Sequence, residues 1–171
     1  MTRARCLVLA LAALLLAPGV AGAAKVEVTE DLEPLVRELF AQIAALSSYR
    51  ADAPMPTIFE MPQREVEQAV CDEPCNVVAA YFPGKAIYLA SNLDPRREPA
   101  DRAALLHELV HYLQYVEGRF AQLAPCERFS AEEREAFAIQ NAYLARIGSG
   151  LRVAAYADSG CEPEEGEGAG R

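Results

Sequence analysis

Five consecutive residues, His107-Glu108-Leu109-Val110-His111, form an HExxH pattern that contains both histidines of the chain. On a helix, His107 and His111 lie one turn apart on the same face, so both imidazoles can bind one zinc ion. Glu108 then lies beside the open coordination position, where a carboxylate can take a proton from water. The pattern therefore predicts one zinc ion per chain and the chemistry of a metallohydrolase.

The residues around the motif predict a helix over 99–117. Pro99 suits the first turn of a helix, Gly118 suits its end, and no glycine or proline lies between them. Most of its circumference is apolar, and the exceptions are Ala104, His107, His111 and Gln114. Two histidines on a surface helix would also fit the motif, but buried imidazoles need partners and a metal is the natural one.

A third ligand has to come from a carboxylate or a cysteine, because catalytic zinc usually takes three protein ligands and both histidines are used. The downstream contenders are Glu127, Glu132, Glu133 and Glu135. A second helix is predicted over about 130–147, with Ser130 and Glu133 forming a capping box. That capping role accounts for Glu133 without metal. Glu135 is favoured, with Glu132 next, because it shares a face with four small or apolar residues: Ala131, Ala138, Ile139 and Ala142.

An HExxH motif followed some two dozen residues later by a glutamate on a second helix resembles the gluzincin branch of zinc metallopeptidases. The resemblance covers about residues 99–147, and the segments around both helices are also similar to small exported bacterial proteins of unassigned function. It implies zinc held by His107, His111 and Glu135. It further implies that Glu108 acts as general base while zinc activates a water molecule that attacks a peptide carbonyl.

The chain departs from the larger gluzincins in two ways. Ile139 occupies the position, four residues after Glu135, where they often carry an aspartate that orients a histidine. The chain also has no further histidine to stabilise an oxyanion, a role left open among Tyr143, Tyr156, Tyr88 and an arginine. Gln114, one turn beyond His111, is expected to hold a ligand in place, although a purely structural role in the core is the alternative.

The remaining pattern predicts an α+β fold: a minimal zincin-like domain with a small antiparallel sheet, a central HExxH helix and a C-terminal ligand-bearing helix. The other predicted elements are a packing helix over 31–47, a strand over 57–61, a helical turn over 64–70, and strands over 76–82 and 86–90. Pro83-Gly84-Lys85 is typical of the turn that joins a hairpin. The strand over 86–90 either accepts an extended peptide as an added strand or simply packs in the core.

Residues 1–23 resemble a secretory signal with a positive end, an apolar stretch and an Ala21-Gly22-Ala23 cleavage site. Removing them takes away Arg3 and Arg5 and changes the formal net charge from −9 to −11, which disfavours nucleic acid and anionic membranes. The expected organisation is a domain over 24–157 and an acidic disordered tail over 158–171. We expect a secreted or periplasmic protein without stable membrane insertion after cleavage.

Four cysteines remain after processing, and in an exported protein an even number favours disulfides. The expected pairs are Cys71 with Cys75 and Cys126 with Cys161, against the alternative of a cysteine-based zinc site.

The predicted function is cleavage of a peptide or protein substrate. Its alternative is a catalytically silent, zinc-stabilised binding or assembly module of the cell envelope, although a silent module has no use for Glu108.

Overall fold

Four helices and four short strands form the fold of residues 25–154, the part of the chain that the computed structural model describes. In chain order they are β1 (Val26–Glu27), α1 (Thr29–Leu46), β2 (Ile58–Met61), α2 (Gln63–Val70), β3 (Ala79–Phe82), β4 (Ala86–Ala90), α3 (Pro99–Val116) and α4 (Pro125–Arg146). The expected α+β class is confirmed. The expected signal segment and acidic tail, over 1–23 and 158–171, lie outside the described residues.

The strands form one sheet in the order β1-β2-β4-β3. The β3–β4 hairpin is antiparallel, as expected, with Gly84 in its turn at φ +69°. The expectation of a wholly antiparallel sheet is wrong, because β2 and β4 pair in parallel. Helix α2 and the chain around it connect β2 to β3, and this long connection lets β4 insert between β2 and β3.

Helix α3 carries the HExxH motif through the centre of the domain, and it contacts α1, α4, β3 and β4. Its bounds agree closely with the predicted 99–117, since proline opens the helix and Gly118 follows its end at φ +64°. Five of its apolar side chains are fully buried: Leu105, Leu106, Leu109, Val110 and Leu113. Because His107, Glu108 and Gln114 are buried as well, these polar groups need partners from neighbouring elements.

Helix α4 supplies several of those partners, and its start differs from the prediction. It begins at Pro125 rather than near 130, so Ser130 lies inside the helix and the predicted capping box does not form. Proline at the first helical position stabilises this earlier start, because its missing N–H has no partner to lose there. Glu133 is therefore freed from the capping role that the sequence assigned to it.

The Cys71–Cys75 disulfide is confirmed; it closes a short loop after α2. Cys126 is also disulfide-bonded, whereas its expected partner Cys161 lies outside the described residues.

Within residues 25–154, no helix combines the length and the apolar character needed to cross a membrane.

Candidate metal centre

Three side chains from two helices meet in a group that could hold a metal ion: His107 and His111 from α3 and Glu133 from α4. The two Nε2 atoms are 3.0 Å apart. Glu133 reaches both, with Oε1 3.1 Å from Nε2 of His111 and Oε2 3.4 Å from Nε2 of His107. The side chains are 11%, 15% and 21% exposed, so the group is largely buried but open to water at one side.

The favoured third ligand, Glu135, is not brought to the histidines. Its Oε1 pairs with Arg119 at 2.7 Å, and its Oε2 accepts a hydrogen bond from the Tyr49 hydroxyl at 2.5 Å. The physical reason is the orientation of α4: Ala138 and Ala142, the small residues expected to approach α3, are exposed to solvent. The face that packs toward His107 carries Glu133, Phe137 and Gln140 instead.

The other contenders lie elsewhere as well. Glu127 is exposed in the first turn of α4. The backbone carbonyl of Glu132 accepts a hydrogen bond from Gln114 at 2.9 Å. Burial raises the pKa of the Glu132 carboxyl. Among the described residues, only Glu133 joins the two histidines in a metal-binding group.

Each imidazole is fixed from behind by a glutamine. Nδ1 of His111 lies 2.8 Å from Oε1 of Gln114, and Nδ1 of His107 lies 3.1 Å from Oε1 of Gln140. An amide oxygen only accepts, so each Nδ1 carries the proton and donates it, which leaves an Nε2 lone pair facing the group's centre in the neutral ring. Gln114 therefore contacts a motif histidine, as expected.

Gln140 is a residue that sequence reasoning missed. The usable signal was its spacing of seven residues from Glu133, which places both on one face of a helix. Phe137, between them on that face, packs its ring edge-on against His107 with centroids 4.6 Å apart. The amide and the phenyl ring together limit the rotation of the His107 ring.

Electrostatics in the metal-free group favour a cation at its centre. Burial alone would lower the pKa of His111, but the hydrogen bond to Glu133 and the charges of Glu108 and Glu133 raise it to about 9. Burial would raise the pKa of Glu133, but hydrogen bonds from both histidines lower it to about 2. The carboxylate is thus an anion, and two inward-facing Nε2 lone pairs 3.0 Å apart repel unless a proton or a metal lies between them.

The motif glutamate, Glu108, is buried at 8% exposure and is held by the sheet. Its Oε2 accepts a hydrogen bond from the backbone N–H of Tyr81 in β3 at 2.7 Å. The Tyr81 N–H therefore fixes Oε2 of Glu108, and Oε1 does not take part in this hydrogen bond. This arrangement orients a carboxylate beside the candidate metal ligands, where it can accept a proton.

Strand β3, rather than β4, lies at the edge of the described sheet next to Glu108. The idea that residues 86–90 accept an added strand is wrong, because β4 is paired on both sides. The Ala90 N–H donates to the Val78 carbonyl, and bonded positions alternate in an antiparallel pair. The N–H and C=O groups of Ala79 and Tyr81 therefore point away from β4, and the Tyr81 N–H reaches Glu108.

The tyrosines considered for oxyanion stabilisation are not gathered at the histidines. Tyr88 lies on the opposite face of the sheet from the buried Ile87 and Leu89, where its ring contacts Phe59 and Phe82. Tyr143 is 1% exposed within the hydrophobic core. Tyr156 lies outside the described residues.

Comparison of the chain with protein-family models, curated proteins and solved structures gives no match.

Proposed function

We propose that this protein is a zinc-dependent hydrolase that cleaves peptide bonds, with His107, His111 and Glu133 as ligands and Glu108 as general base. The observation that carries the proposal is the convergence of two imidazole Nε2 atoms and a carboxylate, with 3.0 to 3.4 Å between each nitrogen and its neighbours in the group. Ligands about 2.0 to 2.1 Å from a tetrahedral zinc are about 3.3 Å apart, so little rearrangement is needed for binding.

The donor set also favours zinc over the common hard cations. Magnesium and calcium prefer six or more oxygen ligands, whereas two imidazoles and one carboxylate are typical of catalytic zinc. Three protein ligands leave a fourth coordination position open. When bound, zinc activates a water molecule and polarises the carbonyl group under attack.

Glu108 would supply the proton transfer. Its carboxylate follows His107 directly in the chain, and the Tyr81 N–H fixes one of its oxygens. The other oxygen can accept a proton from the attacking water and deliver it to the leaving amine. A silent metal site has no need for a buried, oriented carboxylate that lies outside the ligand set.

The position of β3 at the edge of the sheet supports a peptide as the substrate. An extended peptide can add to such an edge through main-chain hydrogen bonds, which need few specific side chains. The Tyr81 N–H on this edge is held by Glu108, so a peptide would have to pair with other groups of the edge, such as the Tyr81 carbonyl, and would run next to the general base. Export from the cytoplasm is part of the proposal and is supported by the Cys71–Cys75 disulfide, since such bonds persist in oxidising compartments.

The test begins with the zinc content of the purified, oxidised protein after exhaustive dialysis. We expect one zinc per chain in the native protein and a large loss of zinc in Glu133→Gln. Glu127→Gln is the matched control, because this exposed glutamate lies on the same helix. Protein that is zinc-free and takes up no added zinc would overturn the proposal.

A screen of the zinc-loaded protein against a peptide library tests the other part of the proposal, which is that the protein cleaves peptide bonds. Cleavage that a chelator abolishes, and that added zinc restores, is the expected result. Tight binding of one zinc without turnover of any peptide would favour the zinc-stabilised binding module instead.

A further inference from the structure

A second polar cluster lies directly behind His111, and the proposed chemistry does not use it. We call it the Glu135 cluster; it consists of Tyr49, Gln114, Arg119 and Glu135. The Glu135 carboxylate binds Arg119 through Oε1, and its Oε2 accepts hydrogen bonds from Tyr49 and from Nε2 of Gln114, the latter at 3.2 Å. Its four members come from α3, α4, the segment after α1 and the loop after α3.

The Glu135 carboxylate of this cluster is surrounded by hydrogen-bond donors and one positive charge. Burial, followed by the hydrogen bond to Glu135, raises the pKa of Tyr49, so its hydroxyl stays protonated and donates. The Arg119 guanidinium lies over the Tyr49 ring at 4.9 Å and also donates to the Ser48 hydroxyl at 2.8 Å. These contacts hold the Glu135 carboxylate in one place with its acceptor oxygen toward Gln114.

The orientation of the Gln114 amide follows from this acceptor. An amide side chain can rotate by half a turn and exchange its oxygen and nitrogen. Here the nitrogen donates to Glu135 and to the backbone carbonyl of Glu132, so both neighbours on that side are acceptors. The flipped amide would place its oxygen against those acceptors, and the Gln114 oxygen must therefore face His111.

We infer that Glu135 is a positioning residue that acts through Gln114 to fix the ring and the tautomer of His111. The chain of contacts is continuous: Glu135 accepts from Gln114, and Gln114 accepts from Nδ1 of His111 at 2.8 Å. The Nε2 atom of His111 is thereby left as the ligand atom. The inference rests on the proposed function, since a fixed tautomer matters only if Nε2 binds a metal.

Zinc affinity of the full chain, measured by competition with a chromophoric chelator, tests this role. Loss of a group that orients a ligand costs about 10- to 100-fold in metal affinity, so we expect that loss for Gln114→Ala and a loss of about 10-fold for Glu135→Ala. The decisive measurement is the double variant. If Glu135 acts through Gln114, the double variant binds zinc no more weakly than Gln114→Ala alone.

Two further variants serve as a replacement and a control. Glu135→Gln keeps the size of the side chain and replaces Glu135→Ala if that variant fails to fold; it should also bind zinc more weakly than the native protein. Glu127→Ala, on the exposed side of α4, should bind zinc as the native protein does. Thermal unfolding of the metal-free variants measures any purely structural effect separately from zinc affinity.

The outcomes separate this inference from the proposed function. Native protein that binds zinc, with an unchanged affinity in both Glu135 variants, would overturn the positioning role and leave the function standing. Independent, additive losses in the double variant would also overturn it. Native protein that binds no zinc would overturn both.

Discussion

Oε2 of Glu108 lies 2.7 Å from the backbone nitrogen of Tyr81 and accepts its hydrogen bond. This contact joins the central helix to the β3 edge of the sheet. It places the proposed general base beside the strand along which we propose that a peptide binds. Because the donor is a backbone group, its position depends on the path of β3 and not on the Tyr81 side chain.

Glu108→Gln should abolish turnover while preserving the fold and the metal. The amide oxygen of glutamine can still accept the Tyr81 N–H, but glutamine cannot take a proton from water. Positioned acid–base groups contribute about 10²- to 10⁴-fold, so we expect at least a 100-fold fall in kcat with one zinc per chain retained. Peptide cleavage and zinc content measured on the same preparation check this. Cleavage at the native rate would contradict the assignment of Glu108.

Zinc binding should release a proton at neutral pH. The pKa of metal-free His111 is raised to about 9, so its ring is protonated at neutral pH, whereas Glu133, with a pKa lowered to about 2, is already ionised. Zinc must displace the His111 proton, and its apparent affinity therefore increases with pH until about pH 9. Titration calorimetry in two buffers of different ionisation enthalpy should give about one proton released per zinc at pH 7.5. A zinc affinity that does not change with pH below about pH 9 would refute the coupling of zinc binding to proton release.

Gln140→Leu should weaken the metal site from the side of His107. Leucine fills a similar volume but has no acceptor for the Nδ1 proton, so the His107 ring loses the bond that fixes its tautomer. We expect zinc affinity to fall about 10- to 100-fold. The same substitution at the exposed Gln122 is the control and should leave zinc affinity unchanged. Equal affinities for the two variants would show that the Gln140 contact does not orient the ligand.

Replacing both Cys71 and Cys75 by serine should lower the stability of the fold and leave the metal site intact. The disulfide closes a loop with a sequence separation of 4, and removing so short a crosslink costs about 2 kcal/mol in the chain-entropy description. Urea unfolding of the double variant and of the native oxidised protein measures this loss. If the variant instead lost its zinc, a cysteine-based metal site would have to be reconsidered.

Helices α1 and α3 were predictable because local signals and burial agreed. Proline at the start, glycine after the end and an apolar circumference defined α3 from the sequence, and the periodicity of residues 31–47 gave α1 within two residues. The short spacing of Cys71 and Cys75 likewise pointed to a local crosslink. In each case the decisive interactions lie within a few residues of each other along the chain.

The third member of the candidate metal-binding group was not predictable for the opposite reason. Ser130 and Glu133 satisfy a capping-box pattern, yet Pro125 starts the helix earlier and leaves that pattern without its function. The rotation of α4 about its own axis then decides whether Glu133 or Glu135 reaches the two histidines. That rotation depends on packing between distant segments, as does the insertion of β4 between β2 and β3. The periodicity of the sequence predicts neither the rotation of α4 nor the insertion of β4.

The division of the site between two structural layers has a consequence for how the protein could be regulated. The candidate ligands belong to α3 and α4, whereas the general base takes its orientation from the β3–β4 hairpin. A small displacement of that hairpin would move the Tyr81 N–H that orients Glu108, whereas the contacts of His107, His111 and Glu133 described above come from α3 and α4. The candidate ligands and the proposed general base thus depend on different parts of the fold, so under the proposed function turnover can change through the hairpin while the ion stays bound.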